Sequence, residues 1–272
     1  NNALAITRTS MAESPPAKEQ SDAADFSVRL YPVDMLPFVP LLGLPDDWKF
    51  ASGILDATAK VVATDQGRNL TLDGHVGVSG VALTASGLKF ENAALIFDGK
   101  VAIKSLKSAQ FQPSALKIFE KNKLLFKTTL EGNLDLPSKT GSGLLKFEAP
   151  LPEFYALKPS ANLTISTGLL EGALDWKLLP GSHLSGKTDV TARALDFAWK
   201  KIRYQQASLA FNGQVDWFSP TLRLEKARAT ASIAEKPAGS WEGNLTFNQA
   251  TSSLLCAFTL QDCKETILAP LF

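Results

Sequence analysis

Few side chains in this sequence have the types and spacings that chemistry requires. His75 and His183 sit close to glycines at strand or turn starts, where surface or structural roles are expected of them. Gly77-Val78-Ser79-Gly80 lacks the second spacing of a nucleophile elbow, and no histidine follows it in a usable context. Lys139-Thr140-Gly141-Ser142-Gly143 has a Lys-Thr pair without the preceding glycines of a phosphate loop, and reads as a plain turn. Asp46-Asp47 is expected to solvate a turn, since a carboxylate pair for glycoside hydrolysis is set by spatial geometry. Cys256 and Cys263 could close a small disulfide loop in an oxidising compartment, or remain buried thiols in a reducing one. Two histidines and two cysteines make no recognisable zinc set, so no metal and no cofactor is expected. The sequons at Asn69, Asn162 and Asn244 read as chance matches to strand-rich Asn-Leu-Thr. The expectation is a protein that is not an enzyme.

With so little chemistry to position, the elements themselves become the informative feature. A glycine followed by alternating apolar residues recurs along the chain. It appears as Gly74-x-Val76-x-Val78, Gly99-x-Val101-x-Ile103, Gly132-x-Leu134-x-Leu136 and Gly172-x-Leu174-x-Trp176, then as Gly213-x-Val215-x-Trp217 and Gly243-x-Leu245-x-Phe247. Period-two alternation makes a β-strand with one apolar and one polar face. Repeating the unit stacks the apolar faces into one surface.

Composition narrows the partners. The 272 residues are 45% hydrophobic and 20% charged, with 28 basic residues against 27 acidic ones, so nothing favours nucleic acid or an acidic polymer. No run reaches the roughly 18 to 20 apolar residues that span a bilayer, and the best candidate, residues 35–44, is interrupted by Pro37 and Pro40. No signal-peptide pattern opens the chain, and the first residue is not Met, so a segment of a longer protein is expected.

Residues 1–24 are rich in Ser, Ala, Pro, Glu and Lys and read as a flexible lead-in. Residues 25–272 read as a β-repeat segment. A short apolar helix or plug is expected after Pro32-Val33-Asp34, ending at Pro45-Asp46-Asp47. Residues 115–127 could be helical by period, but the turn-like Lys121-Asn122-Lys123 makes a hairpin the better reading. Pro-rich residues 149–153 mark a bend, with two sub-blocks meeting near 149–160.

Residues 88–103 align without gaps on residues 202–217, setting Phe90 on Tyr204, Phe97 on Phe211, Gly99 on Gly213 and Ile103 on Trp217. In both copies the apolar parity slips by one residue between Phe90 and Ala93, or Tyr204 and Ala207. A slip turns every later side chain over, so a bulge or turn must correct it there. A shared defect argues for a duplicated structural unit. One-sided strands without amphipathic helices can cover their apolar faces as a sandwich, a closed barrel or a sheet folded into a U-shaped trough.

The phrase at 72–78, the stretch from Gly87 to Gly99, residues 186–217 and the Gly-x-Leu/Val-Asp-Trp endings at Trp176 and Trp217 resemble the AsmA-like envelope proteins of bacteria. The YdbH family is the nearest in character, with TamB and YhdP more distant. The resemblance spans residues 48–250 and implies a mainly β fold. In it a repetitive antiparallel sheet curls into an elongated U-shaped hydrophobic groove, with a short N-terminal helix. It implies a periplasmic place in a Gram-negative cell, anchored to the inner membrane by a region outside this chain. The implied activity is conduction of phospholipids between inner and outer membranes. The chain departs from those families in lacking an N-terminal membrane helix.

On that reading the acyl chains lie on Val76, Val78, Leu88, Phe90, Leu95, Phe97, Val101, Ile103, Leu134 and Leu136. They continue over Leu174, Trp176, Tyr204, Leu209, Phe211, Val215 and Trp217. Open strand edges would suit a small strand-adding partner protein. The alternatives are a secreted β-repeat module that binds carbohydrate or protein, and a purely structural scaffold.

Overall fold

The computed structural model describes residues 4–10, 23–42, 48–85 and 88–263. The chain is mainly β and divides into two compact units, Asn1–Ser138 and Lys139–Phe272. The first holds β1 (Leu4–Ser10), β2 (Ala24–Asp34), a 3-10 helix (Leu36–Leu42), β3 (Lys49–Thr64), β4 (Asn69–Ala85), β5 (Leu88–Lys104), β6 (Ser108–Glu120) and β7 (Lys123–Asp135). The second holds β8 (Thr140–Pro150), helix α1 (Leu151–Ala156), β9 (Leu163–Leu179), β10 (His183–Trp199), β11 (Ile202–Phe218), β12 (Thr221–Ile233), β13 (Lys236–Asn248) and β14 (Ser253–Gln261).

Within each unit the strands form an antiparallel meander in chain order, and extensive contacts join only sequential strands. Among the described residues neither unit forms a second sheet packed on the first, as a sandwich would. The sequence left sandwich, barrel and trough open because strand patterning fixes which face is apolar, not what lies against it.

The units repeat one plan. In the first, an 11-residue strand leads into a short helix, a 16-residue strand, two strands of 17 and two of 13. In the second the series is 11, helix, 17, 17, 17, 13 and 13. Both helices open on Leu-Pro, at Leu36-Pro37 and Leu151-Pro152. Proline suits a first helical turn because its missing N–H has no partner to lose there.

The expected bulges are present in both copies. Ala93 pairs with Val81 while Phe90 pairs with Leu83, so three residues of β5 span two of β4. Ala207 pairs with Leu195 and Tyr204 with Phe197 in the same way. A matching bulge on the partner strand contains Gly80 (φ 61°) in the first unit and Ala194 (φ 51°) in the second. Each copy also ties down the carbonyl that its bulge frees. The Lys121 N–H donates to the Asn92 carbonyl and the Ala234 N–H to the Gln206 carbonyl, both at 3.1 Å. Lys121-Asn122 and Ala234-Glu235 both have positive φ, the geometry of tight hairpin turns that match strand twist. The hairpin expected over 115–127 is thus confirmed.

At the first bulge the Glu120 carboxylate accepts the N–H groups of Glu91 and Asn92 at 3.1 and 3.3 Å. The Glu91 carboxylate bridges Lys121 at 2.6 Å and Lys89 at 2.9 Å. The Lys121 hydrogen bond, then that of Lys89, hold Glu91 down to a pKa of about 2 from 4.5. A depressed folded value means that its contribution is complete above about pH 4.5 and lost as pH falls through about 2. A carbon-13 titration of the Glu91 carboxyl is expected to show that low midpoint. Lys121→Met should raise it part of the way towards the ordinary value, with Lys89 still holding it down, and an unmoved midpoint would refute the bridge.

Two expectations need correction, and the alternative left open for the cysteines is resolved. The lead-in over residues 1–24 contains β1, paired antiparallel to β2 from Leu4↔Leu30 to Ser10↔Asp25. Its Leu4-Ala5-Ile6-Thr7 alternation is short, but the β2 edge supplies the backbone partners that a lone segment lacks. Residues 11–22 and the helix stop at 43–47 lie outside the described residues. The junction expected near 149–160 falls inside the second unit, where Pro150-Leu151-Pro152 starts α1 and marks no boundary between blocks. Cys256 and Cys263 are both free thiols. Cys256 faces Leu245 on β13, whereas Cys263 lies against Gly239, six residues along that strand. That is on the order of 20 Å of extended chain, and a disulfide needs α-carbons about 5.5 Å apart.

Candidate functional site

Residues directly opposite one another in an antiparallel ladder share a face, so register alone assigns the faces. In the first unit one row runs Phe26–Val61–Leu72–Val101–Phe111 across β2 to β6. In the second a row runs Leu178–Leu184–Trp217–Leu222–Phe247–Leu254 across β9 to β14. The opposite faces carry rows such as Ser27–Lys60–Asp73–Lys100 and Asp175–Lys187–Gln214–Glu225. Each unit therefore has a continuous apolar face and a continuous polar one.

The repeating glycines lie on the apolar face, and their role is steric. Gly99 pairs with Gly74, and the Phe97 ring lies over it, with its Cζ 2.6 Å from where a Cβ would stand. Gly172 pairs with Phe147, whose ring occupies the same kind of space at 2.6 Å. Missing side chains let aromatic rings lie flat on the sheet, which lowers the relief of the face.

Most of the expected lining residues fall on this face. Val76 pairs with Phe97, Val78 with Leu95, Leu72 with Val101 and Leu70 with Ile103. Leu134 pairs with Ala109, and the β5 bulge returns Phe90 and Leu88 to the same side. In the second unit Leu174, Trp176, Leu209, Phe211, Val215 and Trp217 share the face through their partners on β10.

Two do not line an open surface. Tyr204 is 5% exposed, with its ring stacked on Phe197 at a centroid distance of 4.5 Å. The bulge beside it folds the ring into local packing. Tyr204→Ala is expected to cost about 3 kcal/mol of stability, read as a lower urea midpoint. A loss under ~0.5 kcal/mol would show that the ring is not part of a core. Leu136 lies past the end of β7 in an exposed turn, where its N–H donates to the Lys107 carbonyl at 2.8 Å. The chain turns there because Asp135 accepts the Ser138 N–H at 3.0 Å and the Ser138 hydroxyl, which also lowers the Asp135 pKa.

Sequence reasoning passed over other members of the face, among them Phe147, Leu184, Leu222, Trp241 and Phe258. Their signal was the same alternation, led by a glycine at Gly143-x-Leu145-x-Phe147 and Gly239-x-Trp241 and without one at Leu184, Leu222 and Phe258. Little of the face is sealed. The buried apolar side chains are mostly alanines, joined by Leu125, Leu195 and Tyr204, and among the described residues no large side chain is fully buried. Phe97 is 38% exposed and Trp217 43%. A narrow cleft of about 70 Å³ opens on the face between Tyr204, Leu209 and Ala231.

The polar face carries the chain's two histidines. His75 Nδ1 meets Asp98 Oδ1 at 2.7 Å, and His183 Nε2 pairs with Asp216 Oδ1. Each is a cross-strand ion pair or hydrogen bond, the structural role expected of it. Among the described residues no three His, Cys, Asp or Glu side chains gather as a metal site would require. In the second unit this face is concave, with cavities of about 410 and 440 Å³ that share Asp175, Lys187 and Gln214. A twisted antiparallel sheet is a saddle, so a hollow along one diagonal is the ordinary result of twist.

The class these features define is an open antiparallel β-repeat protein with one apolar face per unit. No family model, no curated protein and no solved structure matches the chain.

Proposed function

We propose that the chain is a lipid-handling segment whose apolar face carries phospholipid acyl chains and curls around them as a trough. One observation carries the reading: each unit presents a continuous apolar face, no second layer from that unit's own described residues lies against it, and large side chains stay partly exposed on it. A soluble monomer rarely leaves so extended an apolar surface without a partner. Exposing an acyl chain to water costs about 0.8 kcal/mol per methylene. A floor of similar apolar residues removes that cost along the whole path, while the headgroup stays in water. Flat glycine–aromatic stretches provide no deep well in which a lipid would be trapped.

The resemblance to AsmA-like proteins supports a periplasmic setting, movement between inner and outer membranes, and anchoring through regions outside this chain. No chemical step and no cofactor is needed. The test is direct: phospholipid extracted from the purified protein is identified by mass spectrometry, and a photo-crosslinker at Phe211 is expected to capture it. Absence of lipid from both would overturn the reading. A second reading, a carbohydrate- or protein-binding module, has the concave polar face of the second unit in its favour. No aromatic ring lines that hollow for a sugar to stack on. Glycan binding abolished by Asp175→Ala, with no lipid recovered, would decide for it.

A further inference from the structure

We propose that one end of the first unit's sheet docks on an anionic phospholipid membrane surface. That rim is made by the β3–β4 turn, the β5–β6 turn and the end of β7. Leu106 stands in the β5–β6 turn, 57% exposed, and Leu136 just past β7, 42% exposed. Hydrogen bonds stitch the three segments side by side. The Leu106 N–H donates to the Arg68 carbonyl at 3.1 Å, and the Leu136 N–H to the Lys107 carbonyl at 2.8 Å. The Ser105 N–H adds a bond to Asn69 Oδ1 at 2.8 Å. The two leucines are therefore held on one platform, with Arg68, Lys104 and Lys107 exposed beside them. Among the described residues none of these three cations has a carboxylate partner. The rim's own carboxylates are Asp65 and Asp135, and Asp135 accepts the Ser138 N–H at 3.0 Å.

The turn itself does not call for a leucine. Ser105 and Leu106 have φ of 52° and 54°, where Asn and Gly are the ordinary residues. Among the described residues with positive φ, Leu106 is the only large apolar one. The second unit builds the same joint from other side chains. There the Gln249 N–H donates to the Pro220 carbonyl at 2.9 Å. Gln249 and Pro220 stand in the places of Leu136 and Lys107, and Ser182 in that of Arg68. The fold can thus make this joint with neither the leucines nor the cations, and an outlier that folding does not need points to function. Leucine tips can enter the boundary between headgroups and acyl chains, while lysine and arginine stems lie along apolar surface with their charges at the phosphates. Two leucines are too small a patch for a stable protein interface, whereas a bilayer requires no complementary shape. The contact is weak and reversible. It rests on the rim alone and does not depend on what occupies the apolar face.

Cosedimentation with vesicles of equal parts phosphatidylcholine and phosphatidylglycerol is the measurement. Binding is expected there, and at least about tenfold weaker binding to phosphatidylcholine alone, since each basic side chain at an anionic surface is worth about fivefold. K104Q/K107Q should remove most of that difference. In Leu106→Gly the new residue accepts this φ more readily than leucine, so Tm should not fall. Its vesicle affinity should nevertheless drop at least about tenfold, the loss of one buried leucine. Lipid extracted from Leu106→Gly should match that from the unaltered chain, which separates the rim from the apolar face. In a C256S/C263S background, an environment-sensitive fluorophore on Leu106→Cys should brighten and shift to the blue on the anionic vesicles. One on Lys60→Cys, on the polar face, should not. Equal binding to both kinds of vesicle, full binding by Leu106→Gly, or a Leu106→Cys label that stays in water would overturn the proposal. So would a protein captured at the rim with no binding to vesicles.

Discussion

Glutamate at Phe97 or at Leu209 is expected to leave the purified protein with no more than about a tenth of the phospholipid that the unaltered chain carries. Both side chains lie on the apolar face and are 38% and 42% exposed, so neither anchors a core. In the unoccupied protein the new carboxylate can reach water and the fold should survive. Once hydrocarbon lies on the face, that carboxylate must shed its water with no partner supplied, a penalty of at least 2 kcal/mol or so. Each 1.4 kcal/mol is tenfold in an equilibrium constant, so a tenfold loss is the lower bound. Lys60→Glu and Lys187→Glu place the same charge on the polar faces and should leave lipid content unchanged. Lipid extracted and weighed against protein, with circular dichroism as the folding check, gives the answer. Equal lipid in all four variants would refute the lipid reading.

Valine at Gly186 should strongly destabilise the second unit. Gly186 sits between Trp176 on β9 and Val215 on β11, at the centre of the second unit's sheet. A Cβ there would overlap the Asp175 carbonyl oxygen and crowd Leu174 Cδ1 at 3.1 Å. A flexible side chain could swing away, but the carbonyl belongs to the backbone of β9, so the strands themselves must move apart. Overpacking of this kind costs about 3 kcal/mol, which corresponds to a fall of roughly 6–12 °C in Tm for a protein of this size. Gly67→Ala is the contrast. That glycine is in the β3–β4 turn at φ 82° with open space around it, so only backbone strain opposes the change, about 1 kcal/mol. Thermal scans of the two variants should separate steric from conformational glycine. If Gly186→Val melts with the unaltered protein, the close approach of β9 and β10 is not as described.

Much of the architecture could be read without coordinates because a strand has only two faces. Alternation in residues 93–104 assigned Ala93, Leu95, Phe97, Val101 and Ile103 to one side, and the ladder with β4 agrees. The parity slip at Phe90–Ala93 and Tyr204–Ala207 was legible for the same reason, since a period of two leaves no third direction for a misplaced side chain. The helix α1 was missed because six residues cannot show a helical period, although Leu151-Pro152 repeats Leu36-Pro37. Tyr204 was misjudged because its burial depends on Phe197, a residue on another strand that a bulge brings into stacking distance.

By itself, then, the order of residues determined the strands, their two unlike faces, the duplicated unit and the positions of its defects, all of them consequences of local periodicity. Only the tertiary structure decided which residues stand opposite one another across the strands, how Tyr204 comes to be buried, and how far apart Cys256 and Cys263 stand. Those depend on register between strands distant in sequence, where a one-residue shift changes every neighbour while leaving the local pattern as it was.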